Sequence, residues 1–172
     1  MPPRMSESRE VRCYDYVPAR YERVHTLLHS DGVAIFSRAT ATVNERAREL
    51  VATLRLNMGP VEVGVDVQLH VKGIIDEWDA TGDPRMRLEF TWEATQQAGL
   101  FPKMDATLTA YPVAPDETQL DLHGRYRPPM GTVGMAFEVT AGHRVAEATL
   151  HRLLHDVRNQ IMSELRVGSR PA

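Results

Sequence analysis

The sequence is poor in cysteine and lysine, and it contains no long apolar run. Cys13 is the single cysteine, so the chain can form no internal disulfide and no zinc site built from several cysteines. Nowhere do about 18 apolar residues follow one another, as a membrane-spanning helix requires, and the first ten residues lack the apolar stretch of a secretory signal. We therefore expect a cytoplasmic protein without stable membrane insertion.

The sequence also lacks an excess of charge of one sign. The 172 residues include 20 Lys+Arg and 23 Asp+Glu, which give a net charge of −3. No basic field is available to attract a phosphate backbone, so we expect no nucleic-acid partner. The length fits one globular domain, which we place at residues 10–165 between frayed termini at 1–9 and 166–172.

The first third of the chain is predicted as a strand followed by one or two short helices. Residues 10–17 alternate like a strand, and the proline at position 18 disfavours helix in the residue before it. Apolar residues recur at helical spacing over 19–29, and Ser30-Asp31-Gly32 is expected to end that helix. Residues 32–48 are predicted to be partly helical.

The middle of the chain is predicted as an antiparallel meander. Valine and leucine alternate with polar residues over 61–72, and 50–56 also alternates, so a hairpin with a turn at 57–60 is expected. Three further runs alternate between apolar and other residues, with turn residues at 81–84 and 112–116 separating them. We expect five or six antiparallel strands with one apolar face.

The last part of the chain has helical periodicity. An apolar stripe runs through residues 132–165, which predicts one helix of about 30 residues and about 45 Å. Because a sheet must cover its apolar face, and no other predicted element is long enough, this helix is expected to lie on the sheet. The predicted fold class is α+β.

Four sequence strings carry a resemblance to a bacterial branch of the START-like (SRPBCC) superfamily, which includes plant pathogenesis-related allergens, START lipid-binding domains and polyketide cyclase/aromatase proteins. They are Leu100-Phe-Pro-Lys-Met104, Glu117-Thr-Gln-Leu-Asp-Leu-His-Gly124, Tyr126-Arg-Pro-Pro-Met-Gly131 and His143-Arg-Val-Ala-Glu-Ala148. The resemblance implies a helix-grip fold, in which a curved antiparallel sheet wraps around a long C-terminal helix. It also implies a cavity between that helix and the sheet, commonly used for hydrophobic or amphipathic ligands. We expect no cofactor.

Five residues are candidates for lining such a cavity, because they combine an inward position with a large or polarisable side chain. They are Trp92, Met104, Tyr126, Phe137 and His143. The alternative is that all five simply fill the core.

Two of these residues are also candidates for catalysis. His143 lies on the apolar stripe of the last helix and has Glu147 one turn later as a partner, while Tyr126 offers a hydroxyl. The alternative for His143 is a core histidine with a satisfied hydrogen bond. Three functions stay open: binding of a lipid or polyketide-like molecule, a cyclase-, aromatase- or dehydratase-like enzyme, and an interaction module or homodimer with a filled core.

Two histidine pairs have the spacing of metal ligands on a helix. These are His25 with His29 and His151 with His155. Arg152 stands where zinc peptidases have a glutamate, and such spacings arise often by chance. We therefore interpret both pairs as solvated helix flanks and predict no metal.

Overall fold

The computed structural model describes residues 8–58, 67–94, 103–126 and 135–168. Within these ranges two long helices and five strands make an α+β fold, which confirms the predicted class. The elements are β1 (Arg9–Val17), α1 (Tyr21–Met58), β2 (Val67–Trp78), β3 (Pro84–Ala94), β4 (Met104–Ala114), β5 (Glu117–Tyr126) and α2 (Met135–Val167).

All strand pairs of the sheet are antiparallel, and the strand order is β1-β5-β4-β3-β2. β1 and β2 therefore lie at opposite edges, although only α1 separates them along the chain. β-bulges interrupt the register between Val71 and Gly73 and between Pro112 and Ala114, and bulges bend and twist the strands that carry them. The predicted curved antiparallel sheet is confirmed.

One face of the sheet, here called the inner face, is covered by the helices. The two-residue periods predicted for β3, β4 and β5 are confirmed, because every second residue of these strands is buried on that face. The turn predicted at 81–84 joins β2 to β3, and Gly82 adopts a left-handed φ of 86° there. The buried positions are Met86, Leu88, Phe90, Trp92, Met104, Ala106, Leu108, Ala110, Leu120, Leu122, Gly124 and Tyr126.

α1 is one helix of 38 residues, so the helix end predicted at Ser30-Asp31-Gly32 is wrong. The Ser30 hydroxyl donates to the Leu27 carbonyl oxygen at 3.2 Å, which satisfies it inside the helix. Gly32 lies against the sheet, where an added Cβ would sit 3.6 Å from Leu88 Cδ1. A buried apolar stripe outweighs the cost of about 1 kcal/mol for a glycine within a helix. The stripe comprises Val24, Leu28, Ile35, Phe36 and Ala39.

The predicted hairpin strand at 50–56 is also wrong, because α1 continues to Met58. Its leucines at positions 50 and 54 fit a helical period as well as an alternating one, and the surrounding Ala, Arg and Leu residues favour helix. The turn predicted at 57–60 reaches beyond the described residues, as does the start of the strand predicted at 61–72. β2 runs from Val67 to Trp78, so four strands instead of five or six are described after α1.

α2 runs from Met135 to Val167, close to the predicted 132–165. It packs on α1, β1 and β5, while α1 packs on β2, β4 and β5. The ring of Phe36 in α1 lies 5.1 Å from that of Phe90 in β3. The expectation that the last helix alone covers the sheet is therefore wrong, because α1 is long enough to share the inner face. Neither described helix is apolar enough over a sufficient length to cross a membrane.

Candidate ligand-binding site

Three of the five predicted site residues lie side by side on the inner face. Trp92 in β3 pairs with Met104 in β4, and Met104 pairs with Tyr126 in β5, so the three side chains form one row across the sheet. The row continues to Leu69 in β2 and Arg9 in β1. Trp92, Met104 and Tyr126 are 7%, 4% and 2% exposed. The structure thus brings together residues that are 34 positions apart at most, and we call them the Trp92–Met104–Tyr126 row.

The hydroxyl of Tyr126 is held in its neutral form. Burial raises the pKa of Tyr126, a charge interaction and a hydrogen bond with Arg9 oppose this, and the charge of Glu147 on α2 adds to the increase. The net direction is upward, so the phenol stays protonated at neutral pH. It can therefore donate a hydrogen bond to a polar group of a ligand.

Next to this row, α2 touches the sheet directly. The neighbouring inner-face positions in β4 and β5 are small, Ala106 and Gly124, and they pair with each other. A Cβ built on Gly124 would lie 2.5 Å from Met104 Sδ and 2.9 Å from Leu150 Cδ1. The absent side chain of Gly124 thus makes room for both. From Leu150 onward the interior is packed, since the remaining stripe of α2 is also buried: Leu153, Leu154, Val157 and Ile161.

Phe137 and His143 belong to α2, but their side chains lie outside the part of the chain that the structure describes. His143 precedes Leu150 by seven residues, which is about 10 Å along a helix. Their predicted place at the site and the catalytic role of His143 stay predictions.

Four further reactive, aromatic or charged side chains lie away from the row. Cys13 in β1 is buried, and burial above all raises its pKa to about 12, as expected for a thiol that packs in the core. Tyr111 points to the outer face of β4, where the Arg85 guanidinium stands 5.4 Å from its ring centre. Trp78 is 73% exposed at the end of β2. Arg125 is exposed, and its guanidinium pairs with the carboxylate of Glu10 at 2.9 Å.

A surface groove lies near the last turns of α2. Its volume is about 230 Å³, below the range of about 300–1,000 Å³ that is usual for small-molecule sites. It is lined by Pro18, Ala19, Arg23, Met162, Leu165 and Arg166.

A second cluster, formed by His25, His29 and Asp76, lies between α1 and β2. The Nε2 atoms of His25 and His29 are 2.9 and 3.1 Å from Oδ1 of Asp76. The ligand atoms of these three residues all lie within 4.8 Å of one another. His25 and His29 were predicted from their spacing to share one side of a helix, which the structure confirms, but no sequence signal connects them with an aspartate 47 residues away.

No family model and no curated protein matches the chain. Solved structures are similar to it at low sequence identity. An aromatase/cyclase named Zhui from a Streptomyces species is 14% identical, with a TM-score of 0.44 over 95% of this chain and 97% of its own. Norcoclaurine synthase from Thalictrum flavum is 12% identical, with a TM-score of 0.49 over 93% of this chain and 87% of its own.

A START superfamily protein from Mycobacterium smegmatis is 13% identical, with a TM-score of 0.38 over 90% of this chain and 98% of its own. At these values the likeness says nothing about a ligand or a reaction. The fold is recognised from the chain's own elements: the strand order, the crossing of α1 between the two edge strands and the long C-terminal helix packed on the inner face. These features are those of a helix-grip fold, the fold that the resemblance of the sequence implies.

Proposed function

We propose that this protein binds a hydrophobic or amphipathic small molecule, such as a lipid or a polyketide-like compound, between α2 and the sheet. The proposal rests on the Trp92–Met104–Tyr126 row. The three residues come from three strands, share one end of the inner face and are buried together. The site would lie on the side of the row away from Gly124, because α2 and the sheet are in contact at Gly124.

The chemistry of the row suits an amphipathic ligand. Trp92 offers a flat apolar surface, and the unbranched thioether of Met104 adapts to irregular shapes. Tyr126 adds one protonated hydroxyl within this apolar wall. Binding pockets commonly combine an apolar lining with a few polar groups that orient the ligand.

The raised pKa of Tyr126 favours binding over base catalysis by this residue. A cyclase-, aromatase- or dehydratase-like mechanism would need Tyr126 or His143 to move protons. A phenol that resists ionisation donates a hydrogen bond readily but is a poor general base. Catalysis by Tyr126 is therefore confined, in this proposal, to hydrogen bonding or acid catalysis.

The experiment uses Trp92 as a reporter. Trp78→Phe removes the other tryptophan at an exposed position, so that emission comes from Trp92 alone. We expect dodecanoate to change this emission in a saturable titration. In the same background, Tyr126→Phe should weaken dodecanoate binding by roughly fivefold, the value of one hydrogen bond of about 1 kcal/mol.

Tyr111→Phe is the matched control, because it also removes a tyrosine hydroxyl, but from the outer face of the sheet. It should leave the affinity unchanged. Equal effects of the two tyrosine substitutions, or a Trp92 emission that no concentration of dodecanoate alters, would contradict the proposal. In the second case, sedimentation that reveals a homodimer would favour an interaction module with a filled core.

A further inference from the structure

The strongest unassigned feature is the cluster of His25, His29 and Asp76. The two histidines stand one turn apart on α1, and their rings are 4.4 Å apart between centres. Both Nε2 atoms converge on the same carboxylate, and His29 is 3.1 Å from each of its oxygens. The side chains of His25, His29 and Asp76 are 31%, 38% and 52% exposed.

The β-bulge in β2 explains why Asp76 reaches these histidines. Before the bulge, Val71 pairs with Phe90 on the inner face; after it, Ile74 pairs with Leu88 and Asp76 pairs with Met86, both inner-face residues. Without the extra residue, position 76 would belong to the outer face. Bulges commonly re-aim a side chain in this way.

The distances suit a metal ion. Zinc bonds of about 2.0–2.1 Å to nitrogen and oxygen at tetrahedral angles require about 3.3 Å between ligand atoms. The two Nε2–Oδ1 distances, 2.9 and 3.1 Å, are within a few tenths of an ångström of this value, and all three ligand atoms lie within 4.8 Å of one another. Because the three side chains are partly exposed, small rotations can admit an ion, and water has access to the remaining coordination positions.

The donor types point to one class of ion. Two imidazoles and one carboxylate suit Zn²⁺ and neighbouring divalent transition metals, whereas Mg²⁺ and Ca²⁺ prefer oxygen ligands throughout. We propose that His25, His29 and Asp76 form a binding site for one divalent transition-metal ion, Zn²⁺ being the representative case, and that this ion links α1 to the edge strand β2. The prediction of no metal, which rested on Arg152 in the other pair and on how often such spacings arise by chance, is replaced by this proposal.

The other histidine pair supplies a natural control. His151 and His155 have the same spacing on α2, but the carboxylate near His155, Asp15, lies 3.7 Å away. That carboxylate also faces the Arg158 guanidinium, with Nε 3.8 Å from its Oδ1. A nearby positive charge opposes a dication, so this pair should not bind one.

The test uses the full chain without a histidine tag, stripped with a chelator and titrated with Co²⁺ and with Zn²⁺. We expect one equivalent of Co²⁺ to give visible absorption bands of a protein-bound ion, which Zn²⁺ then abolishes by displacement. Asp76→Asn and His29→Gln should each weaken Zn²⁺ binding about tenfold or more, because losing only the hydrogen-bond partner of a metal ligand already costs about 10- to 100-fold. The double control His151→Gln/His155→Gln should bind like the original protein.

Thermal unfolding provides the second measurement. An ion that binds only the folded state raises the melting temperature, so Zn²⁺ should do so in the original protein and the control but not in Asp76→Asn. Melting without metal shows whether each variant is folded. Absence of Co²⁺ bands, unchanged affinity in both ligand variants, or a loss of binding in the control would each overturn the site.

Discussion

Gly124 lies where α2 packs closely against the sheet. Its missing side chain leaves space that Met104 Sδ and Leu150 Cδ1 occupy. At the scale of single residues, the packing beside the proposed ligand site thus leaves room for no side chain larger than a hydrogen atom at position 124. A larger side chain must displace one of the two neighbours.

We expect Gly124→Ala to lower the free energy of unfolding by about 1–3 kcal/mol, the usual cost of overfilling a core. Met104→Ala removes the nearer obstacle, so the double variant should lose less than the sum of the two single losses. Urea denaturation of the four proteins measures this coupling. Additive losses would show that Met104 does not hold the space above Gly124.

Cys13 provides a second prediction at this scale. Burial, followed by the charges of Asp121 and Asp15, raises its pKa to about 12, against about 8.5 for a free thiol. The folded protein should react with Ellman's reagent at pH 8 only as fast as it opens, whereas the urea-unfolded protein should react at once. Because the native state holds the proton more tightly, this residue's contribution to stability is lost as the pH rises above about 8.5. A fast native reaction would contradict the buried position.

At the scale of elements, sequence periodicity succeeded where burial is one-sided and regular. The alternation predicted in β3, β4 and β5 is confirmed, and so is the buried stripe of α2 from Leu150 onward. α1 was predicted as separate short helices, because Ser30, Asp31 and Gly32 are typical helix terminators. Whether a helix continues through such residues depends on contacts outside the local sequence. Tertiary packing against Leu88 and Ile74 decides in favour of one helix.

Gly32→Ala distinguishes the two interpretations by the sign of its effect. Inside a helix, and with the nearest atoms at 3.6 and 4.0 Å from the new Cβ, alanine should stabilise the protein by about 0.5–1 kcal/mol. At a helix end with left-handed backbone, alanine would destabilise it instead. The urea midpoint of the variant gives the sign directly.

The candidate sites differ in how far the sequence could predict them. The Trp92–Met104–Tyr126 row follows from strand parity, since antiparallel pairing places inward residues opposite one another. The partnership of Asp76 with His25 and His29 could not be predicted, because it depends on a bulge that reverses the parity of β2. Alternation in the sequence predicts which residues of a strand lie on the same face of the sheet. It does not show where the extra residue of a bulge moves the following residues to the opposite face.

At the scale of the whole molecule, both edge strands of the sheet carry a carboxylate whose pKa is lowered in the folded protein. Hydrogen bonds and charges from Arg125 lower the pKa of Glu10 in β1. Partial burial alone would raise the pKa of Asp76 in β2, but hydrogen bonds from His29 and His25 outweigh this and lower it. In the β2–β3 turn, hydrogen bonds from the Thr81 hydroxyl and the Asp83 amide hold the pKa of Asp79 far below its usual range.

Carboxylates with lowered pKa values stabilise the fold above their unfolded pKa of about 4, and this contribution is lost as the pH falls through the folded values. We therefore expect the urea midpoint to fall between pH 5 and pH 2. Asp79→Asn should lower the midpoint at neutral pH and make its decline in acid shallower. Asp116→Asn controls for the loss of one exposed negative charge. An unchanged acid profile in Asp79→Asn would contradict the assignment.

The strand order also determines when the sheet can be completed. Among the described strands β1 pairs with β5 alone, and even the nearest partners of that pairing, Val17 and Thr118, are separated by about 100 residues. During synthesis β1 emerges before the other described strands, and its partner β5 begins to emerge only after about 100 further residues have followed. Such long-range pairing slows folding and leaves an unpaired strand available to other chains meanwhile. Among the described strands, β1 is thus the one that remains longest without its partner after synthesis.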